Sequence, residues 1–267
     1  MIVYLIGGLG NQLFMYAFGR SVAAVRKIPL FFNRDVFRTY QRPYSLDAYN
    51  LDLHFSGIGR STPVYNERGM PFDKDVYTAA PNSVFYGYWQ TEKYFEKEII
   101  RTELQMPKGI PNDATNQLVS AMSKLNSTFV AVRRGDYLTP SNMATLGCMS
   151  LNYYLAGMRY IEERASDVHF FIFSDDPNWC RENFRMKNCT VLDCNTGGPH
   201  WDIWLMSFCQ HAVIANSSFS WWGAWLGDTQ PNRIVISPKR WFTSPTLDSR
   251  DIVPERWIKL ETSGDKL

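Results

Sequence analysis

Arg133, Arg134 and Asp136 fall within four residues at the end of an apolar run, FVAVRRGDYL (129–138), around the turn residue Gly135. Guanidinium groups stay charged when partly buried, and their planar forks fit phosphate oxygens, so the pair suits a bound phosphate or diphosphate. The plainer alternative is an Arg–Asp structural pair beside a solvated turn. A second charged pair, Asp175–Asp176, follows the run FFIFS (170–174) and precedes Pro177. A carboxylate there either caps a helix or accepts hydrogen bonds from a guanine or ribose edge. Further on, VIANSSFSWWGAWL (213–226) leads an apolar run into Asn216, Ser217, Ser218 and Ser220, all good capping residues, so that the unpaired N–H groups of a helix start would face an anion. Trp221, Trp222 and Trp225 in that helix read as core rather than as a sugar platform. The fourth stretch is GGLGNQ (7–12), whose glycines let backbone approach a ligand closely. It matches neither G-x-G-x-x-G nor a Walker loop, and no acidic ribose anchor follows about 20 residues later, so tight helix–strand packing is its alternative reading.

Each of these stretches follows a predicted strand. Residues 2–6 read as a buried strand and 28–32 as a second, with a helix between them marked by Phe14, Ala17, Phe18, Val22 and Val25. Residues 84–89 read as a strand followed by a helix from Thr91 to Leu104, while the turn-rich region before residue 80 resists assignment. After a polar helix over 113–125, short apolar runs at 128–132, 168–173, 191–192, 212–215 and 234–236 suit a parallel sheet covered on both faces. The prediction is an α/β protein of two units, with prolines and polar residues at 107–127 marking the join and domains at 1–120 and 121–267. Ligands of open α/β sheets bind outside the carboxyl ends of strands, where the four stretches sit.

Composition narrows the partners. Lys and Arg exceed Asp and Glu by 28 to 26 in 267 residues, which excludes the basic field that recruits nucleic acid. The cysteines Cys148, Cys180, Cys189, Cys194 and Cys209 are odd in number and point to reduced thiols in a cell. Cys189 and Cys194, with His200 and His211, fit no standard zinc spacing, so no metal site is expected. Asp73-Lys74-Asp75 has a D-x-D form that could hold a divalent metal, but no strand leads into it and it reads as a solvated loop. Glycines interrupt the apolar start, so neither a signal peptide nor a spanning helix is expected, and the location is expected to be cytoplasmic.

The stretches GGLGNQLFMYAFG (7–19), GYWQTEKYF (87–95), VRRGDY (132–137), FFIFSDDP (170–177) and ANSSFSWWGAWL (215–226) together resemble the α-1,2-fucosyltransferases, in that family's order. The resemblance implies two Rossmann-like domains facing a cleft, the GT-B arrangement, with GDP held mainly by the C-terminal one. It implies inverting transfer of L-fucose from GDP-fucose to the 2-hydroxyl of a galactose-terminated glycan, in a bacterial surface-glycan (O-antigen) setting, with no required metal or cofactor, no transmembrane segment and at most peripheral membrane association. On the matching positions, Arg133 meets the departing β-phosphate, Arg134 assists or is structural, the helix start at Ser217 and Ser218 contributes N–H groups, and Asn216 belongs to the same donor-binding set. Asp175 or Asp176 reads the guanine or ribose, and Gly8, Gly10, Asn11 and Gln12 line the cleft from the N-terminal, acceptor side. Asp136 either serves as the base or orients the arginines. Ala131 stands where the family's arginine motif has His, which bears on nucleotide affinity. A dinucleotide-dependent oxidoreductase and a noncatalytic carbohydrate-binding protein are the competing classes; binding of GDP-fucose rather than NAD, or of galactosides alone, separates them.

Overall fold

The computed structural model of the chain describes residues 1–193 and 197–261. These divide into two compact units, one of residues 1–108 and 247–254, the other of the described residues in 109–246 and 255–261. The first unit contains β1 (Ile2–Tyr4), α1 (Leu9–Arg26), β2 (Phe31–Asn33), β3 (Val64–Asn66), β4 (Val84–Tyr86) and α2 (Lys97–Leu104). Its four-stranded sheet has the order β2-β1-β4-β3, and every pairing is parallel. Leu13, Phe14, Ala17, Phe18 and Val22 bury one flank of α1 on this sheet, and Gly19 permits the approach, since a Cβ there would lie 2.8 Å from Val3 Cγ2. The returning segment is tied to this unit by Asp251, which accepts from Lys93 Nζ at 2.6 Å and from the Phe72 N–H at 2.9 Å.

The second unit contains α3 (Asp113–Lys124), β5 (Asn126–Val132), α4 (Pro140–Thr145), α5 (Leu151–Glu162), β6 (Val168–Ser174), α6 (Pro177–Asn183), β7 (Cys189–Val191), α7 (Pro199–Phe208), β8 (His211–Val213), α8 (Ser218–Leu226), β9 (Val235–Pro238) and β10 (Ile258–Leu260). All pairings in its sheet, β10-β9-β8-β5-β6-β7, are parallel. Val130, Val132, Phe170, Ile172, Val213 and Ile236 pack with Tyr153, Tyr154, Met158 and Ile161 of α5 into one core. Trp221, Trp222 and Trp225 are wholly buried, and Gly223 fits against Met206, whose Cβ a glycine substituent would approach to 2.6 Å.

The α/β class is thus realised as two parallel sheets. An expected boundary at residue 120 would cut α3, which packs on β5; the chain divides instead at Lys108–Gly109 and recrosses at residues 247–254. Strand β4 stops at Tyr86 rather than continuing to residue 89, because the N–H groups of Tyr88 and Trp89 turn to the carboxylate of Glu67. The expected helix from Thr91 is broken: a 3-10 turn, Glu92–Tyr94, ends in an extended Phe95 before α2 begins. Cys194 lies outside the described residues.

Both sheets have one point where successive strands begin to be added on the opposite side, between β1 and β4 in the first unit and between β5 and β8 in the second. Such switch points leave a crevice at the carboxyl ends of their flanking strands. At the amino ends of β8 and β9, Arg233 Nη1 donates to the carbonyls of Cys209 (2.6 Å) and Gly227 (2.9 Å), placing a cation where α7 and α8 end. Beside it, His211 Nδ1 accepts from the Ile234 N–H at 3.0 Å, and burial together with Arg233 lowers its pKa to about 4. An unfolded histidine titrates near pH 6.5. The neutral ring therefore contributes stability that is complete above about pH 6.5 and lost as the pH falls toward 4. His211→Asn, which keeps an acceptor without the titration, is expected to flatten that part of the stability profile, measured by denaturant unfolding across pH 4–7.

Candidate functional site

At the second switch point, β5 ends at Val132 and the next residues turn across the end of β6. Arg133 Nη1 pairs with Asp175 Oδ2 at 2.7 Å, and its Nη2 pairs with Asp136. The other oxygen of Asp175 accepts from the backbone N–H of Arg134 at 2.9 Å, so one carboxylate holds both arginines. Gly135 is what allows this approach: a Cβ there would lie 2.5 Å from Asp175 Oδ2. The guanidinium of Arg134 lies 4.0 Å over the ring of Trp179 and its Nε donates to Asp176 Oδ2 at 3.2 Å. Asp176 also caps α6, accepting from the Trp179 N–H at 3.2 Å, the capping role open to it in the sequence, while its other oxygen is taken by Arg134. Arg133 and Asp175 each keep 25% side-chain exposure, and Asp136 keeps 41%.

Across the switch point, after β8, Asn216 is buried and its Nδ2 donates to the carbonyls of Leu146 (2.8 Å), Gly147 (3.3 Å) and Trp241 (3.0 Å). Its backbone carbonyl accepts from Tyr137 OH at 3.1 Å, linking this corner to the arginine turn. Ser217 caps α8 by accepting from the Phe219 N–H at 3.3 Å, and Ser218 is the first helical residue. The structure therefore brings Arg133, Arg134, Asp136, Asp175, Asp176, Asn216, Ser217 and Ser218 to one end of one sheet. Fixed guanidiniums together with the N-terminus of α8 form a setting for an oxyanion-rich group. Ala131, in register with Phe173 on β6, is 6% exposed.

At the first switch point, Gly8 precedes α1, with Arg42 Cδ 3.4 Å from the position of a Cβ on it. Gln12 is fully buried: its Nε2 donates to the carbonyls of Gly7 and Pro43, both at 2.9 Å, and its Oε1 accepts from the Ser45 N–H at 2.8 Å. Gly10 is buried as well, so of the four loop residues picked from sequence, Gly8 and Asn11 are the ones left accessible. Asn11 Oδ1 accepts from Gln90 Nε2 at 2.9 Å. Asp73 and Asp75 both pair with Arg68, at 2.7 and 2.6 Å, and Asp73 caps a 3-10 turn. Among the described residues, no three His, Cys, Asp or Glu side chains gather as metal ligands.

One residue was not anticipated. Glu67, directly after β3, accepts from the N–H groups of Tyr88 and Trp89, each at 2.8 Å, and burial pushes its carboxyl up to about 7 against those two donors. Trp89 itself is fully buried in a left-handed conformation at φ 55°, which costs a bulky residue about 1–3 kcal/mol. The sequence signal was faint: Gly87 in GYW marks a close approach without naming what approaches it.

Residues 50–261 match the model of Glycosyl transferase family 11. The chain belongs to this family. It is 34% identical to the Alpha-1,2-colitosyltransferase of Escherichia coli over 98% of its own length and 99% of that protein's. It is 26% identical to Galactoside alpha-(1,2)-fucosyltransferase 2 of Gorilla gorilla gorilla, over 84% of this chain and 68% of that one. A further E. coli relative, the O-antigen biosynthesis glycosyltransferase WbnK, is 36% identical over 51% of this chain and 45% of its own. Among solved structures, the NodZ alpha-1,6-fucosyltransferase soaked with GDP-fucose superposes with a TM-score of 0.52 at 12% identity, covering 84% of this chain and 91% of its own, a likeness of GT-B-like fold alone. Membership of family 11 makes the chain a glycosyltransferase and removes the oxidoreductase and binding-module readings. Among the described residues, no helix is long and apolar enough to cross a membrane.

The contact between Gly135 and Asp175 can be tested without substrate. Gly135→Ala is expected to destabilise the family 11 chain by about 1–3 kcal/mol, the usual cost of overpacking. In an Asp175→Ala background the same change should cost under about 0.5 kcal/mol, because the clashing carboxylate is gone; equal costs in both backgrounds, from denaturant unfolding, would contradict the contact.

Proposed function

We propose that the protein is an inverting α-1,2-fucosyltransferase that moves L-fucose from GDP-fucose to the 2-hydroxyl of a terminal β-galactoside in a bacterial surface glycan. The observation that carries this reading is the Asp175 clamp, which fixes Arg133 at the switch point of the second sheet in a family 11 chain. Breaking the fucose–phosphate bond leaves positive charge on the sugar and negative charge on GDP, so fixed donors at the departing β-phosphate lower the barrier. Arg133 has this role, Asp136 orients it, and Arg134 holds the turn against Trp179 while adding charge. The start of α8 at Ser217 and Ser218 offers N–H groups to the diphosphate, and Asn216 holds that corner in place. Asp176 reads the guanine or ribose, and Asp175 positions both arginines.

The second unit takes the GDP-sugar and the first, through Gly8 and Asn11, takes the acceptor. With two guanidiniums and a helix N-terminus at the diphosphate, no metal is required, and transfer is expected to persist in excess EDTA. The O-antigen relative supports the surface-glycan setting; on this reading the enzyme acts in the cytoplasm, at the inner face of the membrane, and the near-even charge balance gives no reason for a nucleic acid partner. One specific observation favours a second donor: the E. coli relative that aligns end to end is a colitosyltransferase. Colitose is fucose without its 3-hydroxyl, so the two donors differ by one polar group.

Incubation with GDP-fucose or GDP-colitose and a panel of β-galactosides, followed by mass and linkage analysis, tests the reading. Preferred fucose transfer to the 2-hydroxyl is expected; exclusive use of GDP-colitose would move the assignment to the second donor. Arg133→Lys keeps a charge and loses the planar fork, so kcat should fall at least about 100-fold, and a change under about threefold would contradict its role. Ala131→His should tighten GDP roughly three- to tenfold by adding one hydrogen-bonding group beside Arg133. Unchanged or weaker binding in titration calorimetry would mean that Phe173 and its neighbours already fill that space.

A further inference from the structure

The loop leaving β4 faces the same switch point as the Gly8–Asn11 turn, and a residue from the edge strand shapes it. Glu67 follows β3 immediately, and its two carboxylate oxygens separately accept the N–H groups of Tyr88 and Trp89. The intervening Gly87 makes room: a Cβ there would stand 2.4 Å from Glu67 Cβ and 2.8 Å from its Oε2. Held in this way, the backbone turns left-handed at Trp89, whose indole stacks on Phe18 with centroids 4.2 Å apart and planes 7° from parallel. The next residue, Gln90, is then directed back to α1, where it donates to Asn11. Two N–H groups converging on one side chain call for two acceptors. A glutamine in place of Glu67 would offer one acceptor and set its NH2 group against the other N–H.

We propose that Glu67 is a positioning residue for acceptor binding: by holding the Tyr88 and Trp89 amides, it sets Gln90 against Asn11 and shapes the end of the first sheet that receives the acceptor sugar. This rests on the functional reading above, in which the first unit takes the acceptor. The groups that the clamp brings together, the Asn11 and Gln90 amides, are neutral hydrogen-bonding groups, the chemistry that pairs with sugar hydroxyls. The clamp is built from residues of the first unit, whereas the functional reading assigns the nucleotide to the second.

Kinetics of the full-length protein with Glu67→Gln, Glu67→Asp and Gly87→Ala test the inference, with amide hydrogen exchange as a readout independent of turnover. Glu67→Gln is expected to raise the acceptor KM at least about tenfold while leaving the donor KM and the GDP Kd within about twofold. It should also speed exchange at Tyr88 and Trp89. Glu67→Asp, which retains a carboxylate, should recover part of the acceptor affinity. Gly87→Ala displaces the carboxylate without removing it and should reproduce the acceptor-selective loss, so the inference does not depend on the folding of one variant. Unchanged acceptor KM in an active enzyme, or equal losses for donor and acceptor, would overturn it and leave the functional reading standing. A wild-type protein that transfers from neither GDP-fucose nor GDP-colitose would overturn the functional reading and the acceptor role together. The exchange data would then show only whether the clamp exists.

Discussion

Two adjacent guanidiniums at the end of a strand repel one another and would swing apart unless opposite charge from a neighbouring strand held them. Asp175 supplies that charge to Arg133, and Asp176 supplies it to Arg134. One oxygen of Asp175 meets Arg133 and the other meets the backbone of Arg134, which stitches the end of β6 to the end of β5. Parallel pairing puts the two ends side by side, with Val132 opposite Ser174. The identity of Gly135 follows, since any side chain there would meet the carboxylate. So does the division of work between two consecutive aspartates: Asp175 faces the arginine turn and Asp176 caps the next helix. A cationic centre held in this manner needs no reorganisation when negative charge develops on a leaving group.

The first unit solves a related problem with neutral groups and one buried carboxylate. At two of its loops side chains satisfy backbone groups that no strand pairs. Gln12 saturates its amide on Gly7, Pro43 and Ser45, which anchors the region after β2 onto the glycine turn. Glu67 does the same for the two N–H groups that leave β4. The strained Trp89 is held between this clamp and a stack on Phe18, a cost that a freely moving loop would not bear. Rigid loops at the switch point are what a site that must orient a hydroxyl requires.

Much of this was legible in the sequence because strands announce the positions that follow them. The apolar runs ending at Val132, Phe173 and Ala215 placed Arg133, Asp175 and Asn216 at strand ends, and parallel order did the rest. What remained hidden was partnership. Nothing in GGLGNQ distinguishes Gln12, which turns inward to brace a distant loop, from Asn11, which stays accessible. Asn216 had the composition of a ligand-facing cap, yet its amide is drawn to three carbonyls from segments 70 and 25 residues away in sequence. Glu67 sits in a turn-rich stretch with no periodicity, so its burial could be seen only once β3 was found beside β4. The division at residues 108 and 109 falls inside the expected join of 107–127, but the side on which α3 belongs and the return of residues 247–254 to the first unit had no sign in the sequence.

The central claim is that the Asp175 clamp presents Arg133 to the diphosphate of a GDP-sugar. A crystal structure of the protein with GDP tests it most directly. The expected result is a β-phosphate oxygen at about 2.7–2.9 Å from the Arg133 guanidinium, with Asp175 still bound to both arginines. A diphosphate bound elsewhere, with Arg133 still closed on Asp136 and Asp175 and making no contact to it, would contradict the account.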